Sequence, residues 1–158
     1  MHDHARRPRT LMLPPLPYGA AMVAGWWLDR QVLPLPLPLS LAGPYHPLAL
    51  LCLALGLGLM AWTVLTFWRH RTTVNPYRGA NTLCTEGPFR FSRNPIYLGD
   101  WLVLVGAALW LNSLWPLSFA PLIWLILRYG VIRHEEAHLA ARFGAAYEAY
   151  RQRVRRWL

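Results

Sequence analysis

An all-α integral membrane bundle of about four transmembrane helices, completed by a C-terminal amphipathic cytoplasmic helix, is the fold this sequence predicts. Three observations carry the prediction. Hydrophobic residues are 55% of the 158, with nine Trp, seven Tyr and 14 Pro, which makes lipid the solvent for much of the chain. The few charges are confined to short stretches between long apolar runs. The arginines, finally, fall almost entirely on one side of those runs.

The first predicted span covers residues 11–30, with Pro14, Pro15 and Pro17 crowding its opening turns. Leu33-Pro-Leu-Pro-Leu-Pro-Leu-Ser40 comes next and excludes helix, because alternate prolines lack N–H donors and hold an extended, polyproline-like course at an interface. Residues 48–68 form an unbroken apolar run of roughly 21 residues, matching the ~20 that cross a bilayer. Two further spans, 95–111 and 114–132, are parted only by Asn112-Ser113 and predict a tight antiparallel hairpin. At ~1.5 Å per residue each reaches most of a ~30 Å hydrocarbon core. Pro116 sits where a helix tolerates it, whereas Pro121 predicts a bend.

The tail, 133–158, repeats Leu139, Phe143, Tyr147, Tyr150, Val154 and Trp157 at intervals of four or three, with arginines between them. That pattern is an amphipathic helix broken near Gly144 and lying along the cytoplasmic face. Covering the helix ends and forming a lid over a cofactor are both open to it. There is no internal repeat, and residues 1–158 read as a single membrane domain.

All 16 basic Lys/Arg positions are arginine, and all but Arg30 lie before the first span, between the second and third, or from Arg128 onward. The positive-inside rule places both termini, the loop carrying Arg69 to Arg93 and the Glu135 region in the cytoplasm, in a multi-pass protein. A net charge of +9 here flanks apolar spans, which argues against nucleic acid and for topology and attraction to anionic membrane lipids. No soluble domain comes after the first apolar stretch, so it reads as an anchor rather than a signal peptide. Cys52 and Cys84 have no spacing for a disulfide framework or metal knot.

The most informative stretch is Gly87-Pro-Phe-Arg-Phe-Ser-Arg-Asn-Pro-Ile-Tyr-Leu-Gly99, answered downstream by Glu135-Glu136. Asn94 can cap a helix and Pro95 fits its first position. The helix's positive end then faces water beside Arg93, a pairing that suits a carboxylate or phosphate. His134-Glu-Glu-Ala-His138 also satisfies the zinc pattern His-Glu-x-x-His, but a third ligand is required. Glu148 lies beyond the Gly144 break on the same short tail, and no metal ligands are assigned.

Ser92-Arg-Asn-Pro-Ile-Tyr-Leu-Gly99, Glu135-Glu136, Phe143-Gly-Ala-Ala-Tyr-Glu-Ala-Tyr150 and Val154-Arg-Arg-Trp157, in that order, resemble the signature of the isoprenylcysteine carboxyl methyltransferase and phospholipid methyltransferase superfamily. Thr72-Thr-Val-Asn-Pro-Tyr77 resembles its bacterial members, and the coverage runs from about residue 72 to 158. The resemblance implies a bacterial inner-membrane enzyme that binds S-adenosylmethionine at the cytoplasmic ends of its last helices. It would methylate a lipophilic or small acceptor, with carboxylate, amine and thiol all open. Asn94 stands where eukaryotic and archaeal forms have His and cannot titrate.

On that reading the candidate cofactor-binding residues are Arg93, Asn94, Pro95, Tyr97, Gly99, Trp101, Glu135 and Glu136, and the candidate catalytic residues are Tyr97, Asp100 and Glu135. Arg93 and the start of the helix would hold the methionyl carboxylate; Glu135 or Glu136 would pair with the ammonium or accept ribose hydroxyls. Tyr97 and Trp101, four apart on one helix face, would flank a sulfonium cation. Gly99, with Gly106, Ala107 and Ala108, would leave a lateral opening for the acceptor between the third and fourth helices; close helix packing is the other use of small residues. Gly99-Asp100 also echoes the membrane sterol reductases, which makes an NADPH-dependent reductase the second reading; zinc protease and non-catalytic membrane protein are more distant ones.

Overall fold

Prolines set the helix starts. Pro15, Pro47, Pro95, Pro116 and Pro121 each fall in a first turn, where the missing N–H has no intrahelical partner to lose. The computed structural model describes residues 14–38, 45–70 and 82–158, and there the fold is all-α. Its helices are α1 (Pro15–Gln31), α2 (Tyr45–Arg69), α3 (Pro95–Leu111), α4 (Trp115–Ser118), α5 (Ala120–Leu127), α6 (Arg133–Phe143) and α7 (Ala145–Arg153). A 3₁₀ turn (Gly87–Arg90) precedes α3, and a π turn (Arg128–Ile132) joins α5 to α6. The N-terminal arginines, Arg71, Arg78, the 72–77 motif and the end of the proline run lie outside the described residues.

α1 and α3 run in the same direction. Tyr18 meets Tyr97 and Trp101 at one end, and Asp29 meets Ser113 at the other. α2 is antiparallel to α3, with Met60 beside Gly99 and Leu53 beside Gly106. The α3–α4 turn is closed by Asn112 in the left-handed region (φ 48°), a conformation Asn tolerates better than most residues. Ser113 Oγ donates to Asp29 Oδ1 at 2.8 Å, and the Leu114 amide donates to the Leu35 carbonyl at 2.8 Å. The proline run is thus clipped across the hairpin turn, and its described part, 33–38, is non-helical as expected.

The predicted 114–132 span is less regular than its composition suggests. The helix breaks at Phe119, two residues before Pro121, then resumes as α5 and loosens into the π turn before α6. Among the described residues only Tyr45–Arg69 is by itself long and apolar enough to cross a membrane, while Pro95–Leu111 is apolar but shorter.

α2 and α3 approach closely because their contact is made of glycines. A Cβ at Gly56 would lie 2.7 Å from the Gly99 carbonyl, and one at Gly99 would lie 2.5 Å from Met60 Cγ and 2.8 Å from the Gly56 carbonyl. The outer face of α2 is largely uncovered: Leu48, Leu51, Leu55, Trp62 and Leu65 are each about half exposed. Burying one such side chain is worth about 1.5–3 kcal/mol, so a stripe of them in water is strongly disfavoured and marks a lipid or partner face.

Two apolar clusters hold the rest. Tyr18, Ala21, Tyr97, Leu104, Ile123, Leu127, Val131 and Ile132 form the bundle core, with Trp157 packed onto it. Cys84, Phe89, Tyr147 and Tyr150 form a second cluster with Phe67, Leu83, Leu139, Phe143 and Val154. The tail breaks at Gly144 (φ +51°) as expected, but its apolar face is spent on the protein, covering the ends of α2 and the 3₁₀ turn.

Candidate functional site

Residues 92–94, the start of α3, the start of α6 and residues 154–157 converge at the end of the bundle that carries Arg69, Arg90 and Arg93. Pro95 takes the first position of α3, but Asn94 does not cap with its side chain. Its Nδ2 donates instead to the Arg156 carbonyl at 3.0 Å, and Ser92 Oγ donates to the same oxygen at 3.2 Å. The Arg93 amide donates to the Arg155 carbonyl at 3.0 Å. These three bonds fasten the C-terminal segment across the approach to α3, and no side chain satisfies the helix's opening amides.

Glu136 joins the two halves. Its Oε1 lies 3.1 Å from Arg93 Nη1, and Arg156 forks onto both carboxylate oxygens, Nε at 3.0 Å and Nη2 at 2.6 Å. The fork is the planar, bidentate geometry in which Arg is strongest, and the Glu136 hydrogen bond pushes the Arg156 guanidinium above its ordinary value. Arg93 Nη1 also donates to the Tyr147 hydroxyl at 3.4 Å. Its buried Nε has no protein partner.

Glu135 turns the other way, into the bundle. Tyr97 Oη donates to both of its oxygens, at 3.0 and 2.9 Å. Burial pushes the Glu135 carboxyl up from 4.5 to about 7, with the Tyr97 hydrogen bond opposing and the neighbouring Glu136 charge adding to the shift. Asp100 is buried on α3, with Oδ2 unpartnered and the Tyr18 and Tyr97 hydroxyls in its field. Trp101 stacks edge-on against Tyr18, ring centroids 5.2 Å apart.

The nine expected residues therefore divide. Arg93, Asn94, Pro95, Tyr97, Glu135 and Glu136 come together, and Asp100 and Trp101 line the neighbouring turn of α3. Gly99 faces α2, so it belongs to the glycine contact and not to an opening between α3 and α5. Glu136 is engaged by two arginines, which makes it the residue that orients Arg93. His134 and His138 share one face of α6, each with one buried, unpartnered ring nitrogen; burial, with Arg142 adding, holds His138 below its ordinary value. Among the described residues no third ligating side chain joins them.

Arg156, Tyr147, Tyr18 and the π turn carry the site's geometry but were not singled out from sequence. Arg156 and Tyr147 lie within motif blocks of the resemblance, which was the available signal. For the π turn the sequence offers only Gly130 at the point where apolar residues give way to charge; such turns recur at functional sites.

An arginine–carboxylate cluster at one end of an all-α bundle, beside an uncapped helix start, is an arrangement that suits an anionic group. The phospholipid methyltransferase family model matches residues 45–146, and the chain belongs to that family, which groups with the isoprenylcysteine carboxyl methyltransferase-type membrane methyltransferases. A Haemophilus influenzae protein, named only as uncharacterized, is similar: 42% identical over 64 residues, covering 40% of this chain and 100% of that protein. No solved structure matches. Family membership points to a methyltransferase and implies S-adenosylmethionine as methyl donor.

Proposed function

We propose that the protein is an S-adenosylmethionine-dependent methyltransferase of the bacterial inner membrane, acting at the cytoplasmic face on a lipophilic acceptor that presents an amine. In this reading α1, α2, α3 and the path of α4, α5 and the π turn cross the bilayer in turn, with α6, α7 and both termini cytoplasmic. The observation that carries the assignment is the pair of buried, unpartnered polar atoms, Arg93 Nε and Asp100 Oδ2, on residues just before and within the first turns of α3, the helix whose Tyr97 bonds Glu135. A buried donor and a buried acceptor left without protein partners each cost about 1–3 kcal/mol unless a ligand supplies the bond, and a zwitterionic amino-acid cofactor has groups for both.

The residues fit that cofactor. Arg93, held by Glu136 and Tyr147, and the uncapped start of α3 would bind its carboxylate. Asp100 would take the ammonium and Glu135 accept ribose hydroxyls, and the Tyr97 and Trp101 rings would border the sulfonium. When bound, the cofactor supplies an electrophilic methyl on a positively charged sulfur.

The chain's own part is to bind, orient and exclude water. Glu135 would keep negative charge beside the acceptor, which repels a carboxylate and attracts a protonated amine. An amine must lose its proton before its lone pair can attack. A Glu135 carboxylate poised at about 7 can take it, since a base is most useful when its proton affinity lies near the working pH.

Parallel binding of S-adenosylmethionine, NADPH and zinc to the purified protein tests the assignment, because each rival reading needs a different one. Saturable binding of S-adenosylmethionine alone is the expected result; binding of NADPH in its place transfers the site to the reductase reading. Transfer of labelled methyl to amine-bearing and not to carboxylate-bearing lipid then tests the acceptor.

A further inference from the structure

A second site lies beside the first, formed by parts of the chain that the methyl-transfer reading does not use. Arg90, Phe91, Arg153, Val154, Arg155 and Leu158 line an open cleft of about 350 Å³. The nearby acids on the tail are already taken, Glu148 by Arg151 at 3.0 Å and Glu136 by Arg93 and Arg156. Among the described residues Arg90 and Arg155 have no side-chain partner, and Arg153 has only the Ala149 carbonyl at 3.2 Å. Three cations thus line one cleft, and among the described residues none of them forms an ion pair with a protein carboxylate, an arrangement that favours an added anion.

The surroundings of the cleft are apolar. Phe91 is 64% exposed and Leu158 76% exposed, large hydrophobic side chains left open at a charged rim. The Phe91 ring lies 6.5 Å from that of Trp62, which belongs to the outer stripe of α2. Leu48, Leu51, Leu55 and Trp62 recur at helical spacing along that stripe, all exposed. A basic cleft therefore continues into an apolar track running the length of the longest helix. A soluble phosphate would use the arginines and leave the track empty, whereas a phospholipid uses both.

We infer that this cleft is a binding site for the headgroup phosphate of an anionic phospholipid whose acyl chains lie along the Leu48–Trp62 face of α2. The inference rests on the membrane placement proposed above. It does not require methyl transfer, since the cleft shares no side chain with the Arg93–Glu135 cluster. Arg153 and Arg155 lie on the segment of tail fastened to residues 92–94 through the Arg155 and Arg156 backbone carbonyls, so that clasp does not depend on the cleft's side chains.

Native mass spectrometry of the full chain in detergent, with phosphatidylglycerol and phosphatidylcholine added in equal amounts, reads the site directly. The wild type is expected to retain phosphatidylglycerol in preference by about tenfold, in keeping with the attraction each arginine exerts on anionic lipid. The combined Arg90→Gln, Arg153→Gln, Arg155→Gln variant should retain the two lipids equally, while the matching lysine variant and Arg142→Gln keep the preference. S-adenosylmethionine binding, measured alongside, should be unchanged in all of them, which separates failure here from failure of the methyltransferase reading. Equal retention by the wild type, persistence of the preference in the glutamine variant, or its loss in the lysine variant would overturn the proposal. Displacement of the lipid by an equal concentration of glycerol 3-phosphate would do so too, since it would make the cleft a soluble-phosphate site.

Discussion

The Tyr97 hydroxyl bridges both oxygens of Glu135, at 3.0 and 2.9 Å, linking the start of α3 to α6 across 38 residues of sequence. The bond closes the bundle at the end where the arginines gather, and it holds a carboxyl that burial has driven up to about 7. Protonation of that carboxyl is therefore coupled to folding.

Glu135 binds its proton more tightly in the folded protein than in the unfolded chain, since its value rises from 4.5 to about 7. Its contribution to stability is therefore greatest at low pH and declines as pH rises through about 7. Thermal unfolding in detergent between about pH 5 and about pH 8 should show that downward slope, and Glu135→Gln should flatten it. An upward slope in the wild type that the variant removes would contradict the assignment. Activity, in contrast, should rise through the same range, because the base must be ionised to take the acceptor's proton.

Arg93→Ala and Glu135→Gln should each weaken S-adenosylmethionine binding by about 1.5–3 kcal/mol, the worth of a hydrogen bond to a charged group. Titration calorimetry on the purified variants checks this. Unchanged affinity in both would remove the proposed pocket.

The paired variant His134→Ala, His138→Ala should leave cofactor affinity within a few fold, because neither ring reaches the Arg93–Glu136 cluster in the hydrogen-bond network. Zinc content by elemental analysis is the companion measurement. Stoichiometric zinc in the wild type, lost in the pair along with activity, would favour hydrolysis over methyl transfer.

Gly99→Leu should destabilise the protein as a whole, by about 1–3 kcal/mol or more, since overpacking a close helix contact forces backbone shifts. Its Cβ alone would sit 2.8 Å from the backbone carbonyl of Gly56. Gly58→Ala, which has open space around it, should be neutral or slightly stabilising. A Gly99→Leu protein with an unaltered melting temperature and blocked acceptor turnover would restore the channel role that the sequence suggested.

Reporter fusions at the N-terminus, in 33–40, near Arg78, at Asn112 and at the C-terminus should read in, out, in, out, in, from the arginine asymmetry. A periplasmic C-terminus would part Glu135 from a cytosolic cofactor and end the methyltransferase reading.

Much of the architecture was legible because it depends on short-range rules. Apolar run length located α2 and α3, proline located helix starts, and Asn112-Ser113 located the hairpin turn, each through groups a few residues apart. The order of four motif blocks likewise pointed to the family that the match over 45–146 establishes.

The site was legible only in part. Arg93, Tyr97 and Glu135 stood out because charge and capping residues beside apolar runs are conspicuous. Composition and local periodicity alone determined the all-α character, the polarity of the arginines and the break at Gly144. Tertiary structure alone decided that Glu136 serves Arg93 and Arg156 and that Asn94 holds the tail instead of capping α3. It alone turned Gly99 toward α2. The reason is physical: the Ser92 and Asn94 side chains find their acceptor 64 and 62 residues away, at a carbonyl that no local pattern marks as available. Helix periodicity says which residues share a face, but which helix meets that face is set by how closely glycines let two backbones approach and by which buried polar groups must be paired.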